Sequence, residues 1–334
     1  MPLIAMTREM GSLGKDVARG VAEALGLEVV HHEIIDQLAD KMRLRKSHVV
    51  RLLDGKASLL ERLTADRTSL AIYTADETYG IAQRNGGTVI RGWGATHLLR
   101  RVGHAVCVRV CAPRELRVQR MMERLNTDDE GLVRQEVDHS DEAHAAIMRR
   151  HFGVNWQEGD QYDLTLNTER VPIGECVDEV LKLVRDPAFE ETEESRATLG
   201  NLSLSAHVRA ALRNDPRTRK ATVMIECDQG RVKLSGIVDG DTEQTTLGEV
   251  AGTVPGVTNV ENRVKVEPVA PAVSLAACLR ALATGEEIRA ASGAAERADS
   301  GPPAGKHLGA RLDQHLTRSP VGAAPSPCRP ADDK

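Results

Sequence analysis

Leu3 to Met6 form a short apolar run, a polar loop with Gly11 and Gly14 follows, and Val17, Val21 and Leu25 then recur every four residues. This spacing predicts a strand, a glycine loop and a helix in immediate succession. The arrangement gathers the unpaired N–H groups of the helix start, and its positive end, where the strand stops. It suits a phosphate.

The pattern continues with strands at Thr88–Ile90, Ala105–Cys111 and Tyr162–Leu166. Helices are expected before Asn85-Gly86-Gly87, from Pro113 through Arg124, over about 130–150, and after Pro172 with Ile173, Val177, Val180 and Val184 on one face. Strands alternating with helices predict an α/β fold, a parallel sheet covered on both faces. The acidic stretch Phe189–Ser195 lacks a helical apolar face and reads as a linker. A smaller unit then reads α-β-β-α-β: a helix from Ser205 to Leu212, alternating Val223, Ile225 and Cys227, a turn at Asp228-Gln229-Gly230, a return strand, a helix face at Leu247, Val250 and Val254, and a last strand at Val260–Val266. The expected organisation is 1–187, a linker over 188–202, a second domain over 203–267, and a disordered tail over 268–334, where Ala, Gly, Pro and Ser dominate.

Against the phosphate-loop pattern G-x-x-x-x-G-K-[ST], Gly14 and Lys15 match, Glu9 replaces the first glycine and Asp16 the metal-binding hydroxyl. The run Ile4-Ala5-Met6-Thr7-Arg8-Glu9-Met10-Gly11-Ser12-Leu13-Gly14-Lys15-Asp16-Val17-Ala18 resembles the opening of the cytidylate kinase-like family. His31-His32-Glu33-Ile34-Ile35, Ile90-Arg91-Gly92-Trp93-Gly94-Ala95 and the stretch from Phe152 to Thr168 agree with that family in order. The resemblance implies a P-loop nucleoside-monophosphate-kinase fold over about 1–186, with ATP as phosphoryl donor and Mg²⁺ beside it. Gly11, Ser12, Gly14, Lys15 and Asp16 would then bind the nucleotide.

Phosphoryl transfer needs cations over the moving charge. Arg117 and Arg120 share a helix face and match the family's lid pair, so Lys15, Arg117 and Arg120 are the expected catalytic set. Asp138, Asp141 and His144 align with a D-x-x-D-x-x-R element whose last residue is here a histidine, and Val137 stands where an arginine usually precedes it. His31 occupies an acidic substrate-side position and Trp93 the arginine of a G-R-G-A element. Four charges used by the chemistry are thus exchanged, so impaired transfer is expected.

Leu234-Ser235-Gly236 and Pro255-Gly256-Val257-Thr258-Asn259-Val260-Glu261-Asn262 resemble elements of the BON domain. That resemblance implies binding of a small ligand, phospholipid or protein. Lys and Arg total 44 against 49 Asp and Glu, a net charge of -5, and no aromatic residue follows Phe189, so a dedicated nucleic-acid binder is not expected. Apolar runs are too short for a membrane span or signal peptide, which predicts a cytoplasmic protein. Six cysteines without a C-x-x-C pair and histidines without ligand spacing predict no metal centre. The leading functional expectation is an ATP-dependent phosphotransferase with a BON domain that regulates or localises it. The alternatives are a non-catalytic nucleotide sensor acting through that domain, and a BON protein whose first domain is a scaffold.

Overall fold

A computed structural model describes residues 1–53, 67–84, 86–92 and 94–267. The stretch 268–334, expected to be disordered, lies outside the described residues, as does Trp93.

The first half alternates strands and helices: β1 (Leu3–Arg8), α1 (Gly14–Leu25), β2 (Val29–Val30), α2 (His32–Met42), α3 (Lys46–Leu53), α4 (Arg67–Ala82), β3 (Thr88–Arg91), α5 (Ala95–Leu99), β4 (Ala105–Cys111), α6 (Arg114–Leu125), α7 (Glu130–Phe152), β5 (Leu164–Asn167) and α8 (Ile173–Val184). The five strands form a parallel sheet in the order β2-β3-β1-β4-β5. Residues alternate between its two faces. Leu3, Ala5, Ile90 and Cys107 pack under α2, α4 and α5, while Ile4, Met6, Val89, Val106 and Val108 pack under α1 and α8. β1 lies centrally between β3 and β4, so the loop after it sits where a doubly wound sheet places ligands, beyond the carboxyl ends of its strands.

Of the stretch 188–202 expected to be a linker, residues 193–202 belong instead to α9 (Glu193–Asn214). Thr192 caps that helix and closes a capping box with Ser195, and Glu193 and Glu194 in the first turn favour the positive helix end. Its buried face escapes sequence patterning because it is built from small residues. Leu199, Ala206 and Ala210 join the core beneath α4, while Val208 and Leu212 on the same helix join the core of the second sheet. That sheet has β6 (Val223–Asp228) antiparallel to β7 (Arg231–Val238), and β7 parallel to β8 (Asn259–Val266), with α9 and α10 (Asp241–Gly252) packed on it. A helix shared by two cores cannot be cut without opening both. Limited proteolysis of the chain should therefore leave 193–214 intact, and early release of a fragment ending near residue 200 would contradict the shared helix. Among the described residues, no helix is long and apolar enough to cross a membrane.

Candidate functional site

The loop from Glu9 to Leu13 is shaped by two residues with positive φ, Gly11 at 80° and Leu13 at 61°. A Cβ on Gly11 would lie 2.6 Å from the carbonyl oxygen of Arg117, and one on Gly14 would lie 2.6 Å from the Cβ of Arg8, so close packing on both sides demands these glycines. Within the loop the amide of Ser12 donates to the Glu9 carbonyl at 3.2 Å. Among the described residues, the amides of Met10, Gly11, Leu13 and Gly14 find no protein acceptor. They stand at the N-terminus of α1, with no side-chain cap, beside the exposed Lys15. This is an anion cradle with a cation at its lip.

Two of the expected nucleotide residues also make contacts within the protein. Ser12 is fully buried, and its hydroxyl shares its one proton between the carbonyls of Glu9 at 2.8 Å and Val110 at 3.0 Å, which pins the loop to β4. Asp16 pairs with Arg19 one turn along α1.

Beneath the loop lies a buried charge network that the sequence did not reveal. Glu9 accepts from Arg109 Nη2 at 2.7 Å and from the Ala112 amide at 3.1 Å, and Arg117 Nε stands 3.4 Å from its second oxygen. Arg117 grips Asp141 with both terminal nitrogens, at 3.1 and 2.7 Å, and donates to the Met10 carbonyl at 3.3 Å. Burial holds the Asp141 carboxyl above the usual carboxylate range even with that guanidinium upon it. Arg120 donates to the hydroxyl and carbonyl of Thr168, both at 2.9 Å, and the Thr168 hydroxyl in turn donates to the Ser12 carbonyl at 2.9 Å. The two arginines expected on a lid are held by these partners against the loop.

The acceptor-side residues divide. Asp138 pairs with Arg114, with 2.6 Å between Nε and Oδ1. Val137 is wholly buried with Val118, Met121 and Val133 between α6 and α7, where an arginine could not be solvated. His144 stacks on the buried Trp156 with ring centroids 4.1 Å apart, and burial, followed by the charges of Arg8 and Arg109, holds its pKa down to about 4. An arginine at 144 would add a third cation to two already there. His31 meets the carbonyl of Arg91 through Nδ1 at 2.8 Å, and because a carbonyl only accepts, Nδ1 carries the proton. Among the described residues no group of three or more His, Cys, Asp or Glu could hold a metal ion.

The sequence model of the cytidylate kinase-like family matches residues 3–170, half of the 334-residue chain. The chain belongs to the cytidylate kinase-like family. A BON domain matches residues 202–268, the segment from the second half of α9 through β6, β7, α10 and β8. The search of curated proteins returns no match. Among solved structures, this cytidylate kinase-like protein is similar to an uncharacterised protein from Eubacterium ventriosum, at 19% identity over 55% of this chain and 98% of the other, with a TM-score of 0.43. It is also similar to shikimate kinase from Acinetobacter baumannii in complex with shikimate, at 16% identity over 55% and 93%, TM-score 0.35. A sugar kinase from Janibacter is similar at 16% identity over 57% and 99%, TM-score 0.35.

Proposed function

We propose that the cytidylate kinase-like module binds ATP at the loop 9–16 and transfers its terminal phosphoryl group to a small acceptor. The unpartnered amides of Met10, Gly11, Leu13 and Gly14, gathered at the start of α1 with Lys15 beside them, carry this reading. They fit a polyphosphate, whose charge falls on N–H groups already held by the buried arginines. Mg²⁺ usually needs only one or two carboxylates besides the phosphates, and Asp16 is the one this helix turn offers once it releases Arg19. Bound Mg²⁺ would spread the charge that develops between donor and acceptor. The BON domain acts as the module for a ligand or partner, joined to the first core through α9.

The commitment of Arg117 and Arg120 to Asp141, Glu9 and Thr168 favours one second reading, a nucleotide sensor that does not transfer phosphate and reports occupancy through α9. Both readings require nucleotide binding. Millimolar ATP with Mg²⁺ should raise the melting temperature of the full chain, since a ligand that binds only the native state stabilises it by RT ln(1 + [L]/Kd). An unmoved transition would remove both.

A further inference from the structure

Away from the loop, a second group of charged side chains joins α9 to the first core, and its charges do not balance without a proton. Asp76 and Glu77 follow one another on α4, with side chains only 6% and 10% exposed. Among the described residues, α2 offers them a single cation: Lys41 Nζ lies 2.5 Å from Asp76 Oδ2 and also meets Glu77. Two buried carboxylates on one ammonium leave a negative charge uncompensated, which is costly away from water. The missing cation comes from α9. His207 Nδ1 stands 2.7 Å from Asp76 Oδ1, and its ring lies against α4 where that helix has only a glycine, so that a Cβ on Gly80 would be 3.8 Å from its Cε1.

This imidazole exchanges its proton with solvent. Its side chain is 43% exposed and borders a cavity of about 510 Å³ between α2, α4, α9 and the turn after α10. Among the described residues, the other titratable groups on that cavity, besides Lys41 and Asp76, are Asp40 and Arg43 of α2, one of each sign, and Tyr73 of α4. The turn Thr253-Val254-Pro255 brings none. The bond to Asp76 raises the His207 pKa above the ordinary histidine value against the effect of burial, and a bond to the Ser203 backbone adds to it. Burial works against the Asp76 charge, but the bonds from His207 and Lys41 hold its carboxyl below the usual carboxylate range. Burial works against the Lys41 charge as well, and the bonds to Asp76 and Glu77 outweigh it. His207 is therefore the member of the group that titrates near neutral pH.

We propose that His207 and the Asp76–Glu77 pair form a proton-dependent latch, which fastens α9 to the first core while the imidazole is charged and loosens when it loses its proton. The same helix carries Val208 and Leu212 of the second core, so one proton bears on how tightly the BON domain is held to the kinase-like module. The direction follows from the signs. A histidine whose pKa is higher in the folded than in the unfolded chain stabilises the fold fully below about pH 6.5, and this contribution fades as the pH rises through the folded value. Asp76, with its pKa lowered, contributes above about pH 4 and loses its effect as the pH falls further. The latch is closed between these limits.

The test uses the full chain and reads His207 directly, as the imidazole resonance that disappears in His207→Gln, in an NMR titration. In the wild type it should titrate above the ordinary value of about 6.5, and in Asp76→Asn at or below it. His207→Gln, an uncharged replacement at a half-exposed position, should melt below the wild type at about pH 6, and the difference should narrow by about pH 8. That comparison decides even where Asp76→Asn does not fold. Amide hydrogen exchange along 203–212, corrected for its intrinsic rate, should quicken severalfold over the same range in the wild type and stay level in His207→Gln. A wild-type His207 that titrates at or below about 6.5, a melting difference that does not narrow, or exchange along α9 that ignores pH in the wild type would each overturn the latch. No nucleotide enters these measurements, so their outcome is separate from that of the nucleotide reading.

Discussion

Glu9→Leu should lower the unfolding free energy by about 3–5 kcal/mol, because it leaves Arg109 buried beside no carboxylate and takes from Arg117 one of its two. The two arginine side chains are 10% and 6% exposed, so solvent offers them little compensation. The Ala112 amide would also lose its acceptor at the start of the α6 segment. Urea denaturation should show a lower midpoint with an unchanged slope, as expected when stability changes and the surface exposed on unfolding does not. The double variant Glu9→Leu/Arg109→Met should recover part of the loss, since a buried pair replaced by apolar groups costs far less than one partner removed. A Glu9→Leu protein as stable as the wild type would mean that the network beneath the loop is not what holds it.

The position of this network explains which parts of the site could be read from the chain. The strand, the glycine loop and α1 are local, within 23 residues, and their signals are the periodicity of Val17, Val21 and Leu25 and the glycines at 11 and 14. Arg117 and Arg120 are also visible as a pair on one helix face. Their partners are not, because Met10, Asp141 and Thr168 lie 107, 24 and 48 positions away and meet them only after the sheet and the α6–α7 hairpin have formed. A lid arginine and a buried one look the same in sequence. The exchange at 137, which looks like a lost charge, follows from the packing of α6 on α7, and that at 144 from Trp156 and two nearby cations. Arg91 carries a sequence signal that a charge count misses: an arginine closing the run Thr88-Val89-Ile90 of a central strand has little chance of reaching solvent.

The start of α9 failed for the opposite reason. Its inward face uses Ser195, Leu199, Ser203, Ala206 and Ala210, small side chains that allow α9 to lie close on α4 while giving almost no hydrophobic periodicity. The acidic residues that suggest a solvated linker are instead placed where a helix start favours negative charge. β2, two residues long, is fixed only by its pairing with Val89 and Ile90, a register no local pattern encodes.

Lys15→Ala tests the reading on which the rest depends, and its effect should be the largest on activity. Lys15 is exposed and joins no ion pair among the described residues, so its removal should leave the unliganded melting temperature unchanged. Lys15 is the second residue of α1, next to the amides that would hold phosphate oxygens, and a cation there gains strength as charge moves toward the transferred group. Loss of one such contact typically lowers the rate by about a hundredfold or more. Transfer from labelled ATP to CMP and to a panel of other monophosphates should therefore fall by at least that factor, with the ATP-induced stabilisation lost as well. The wild-type rate decides the second reading: turnover that depends on Lys15 establishes a phosphotransferase, whereas ATP binding that depends on Lys15 without transfer to any acceptor establishes the sensor. Equal transfer by wild type and Lys15→Ala would place the chemistry somewhere other than this loop.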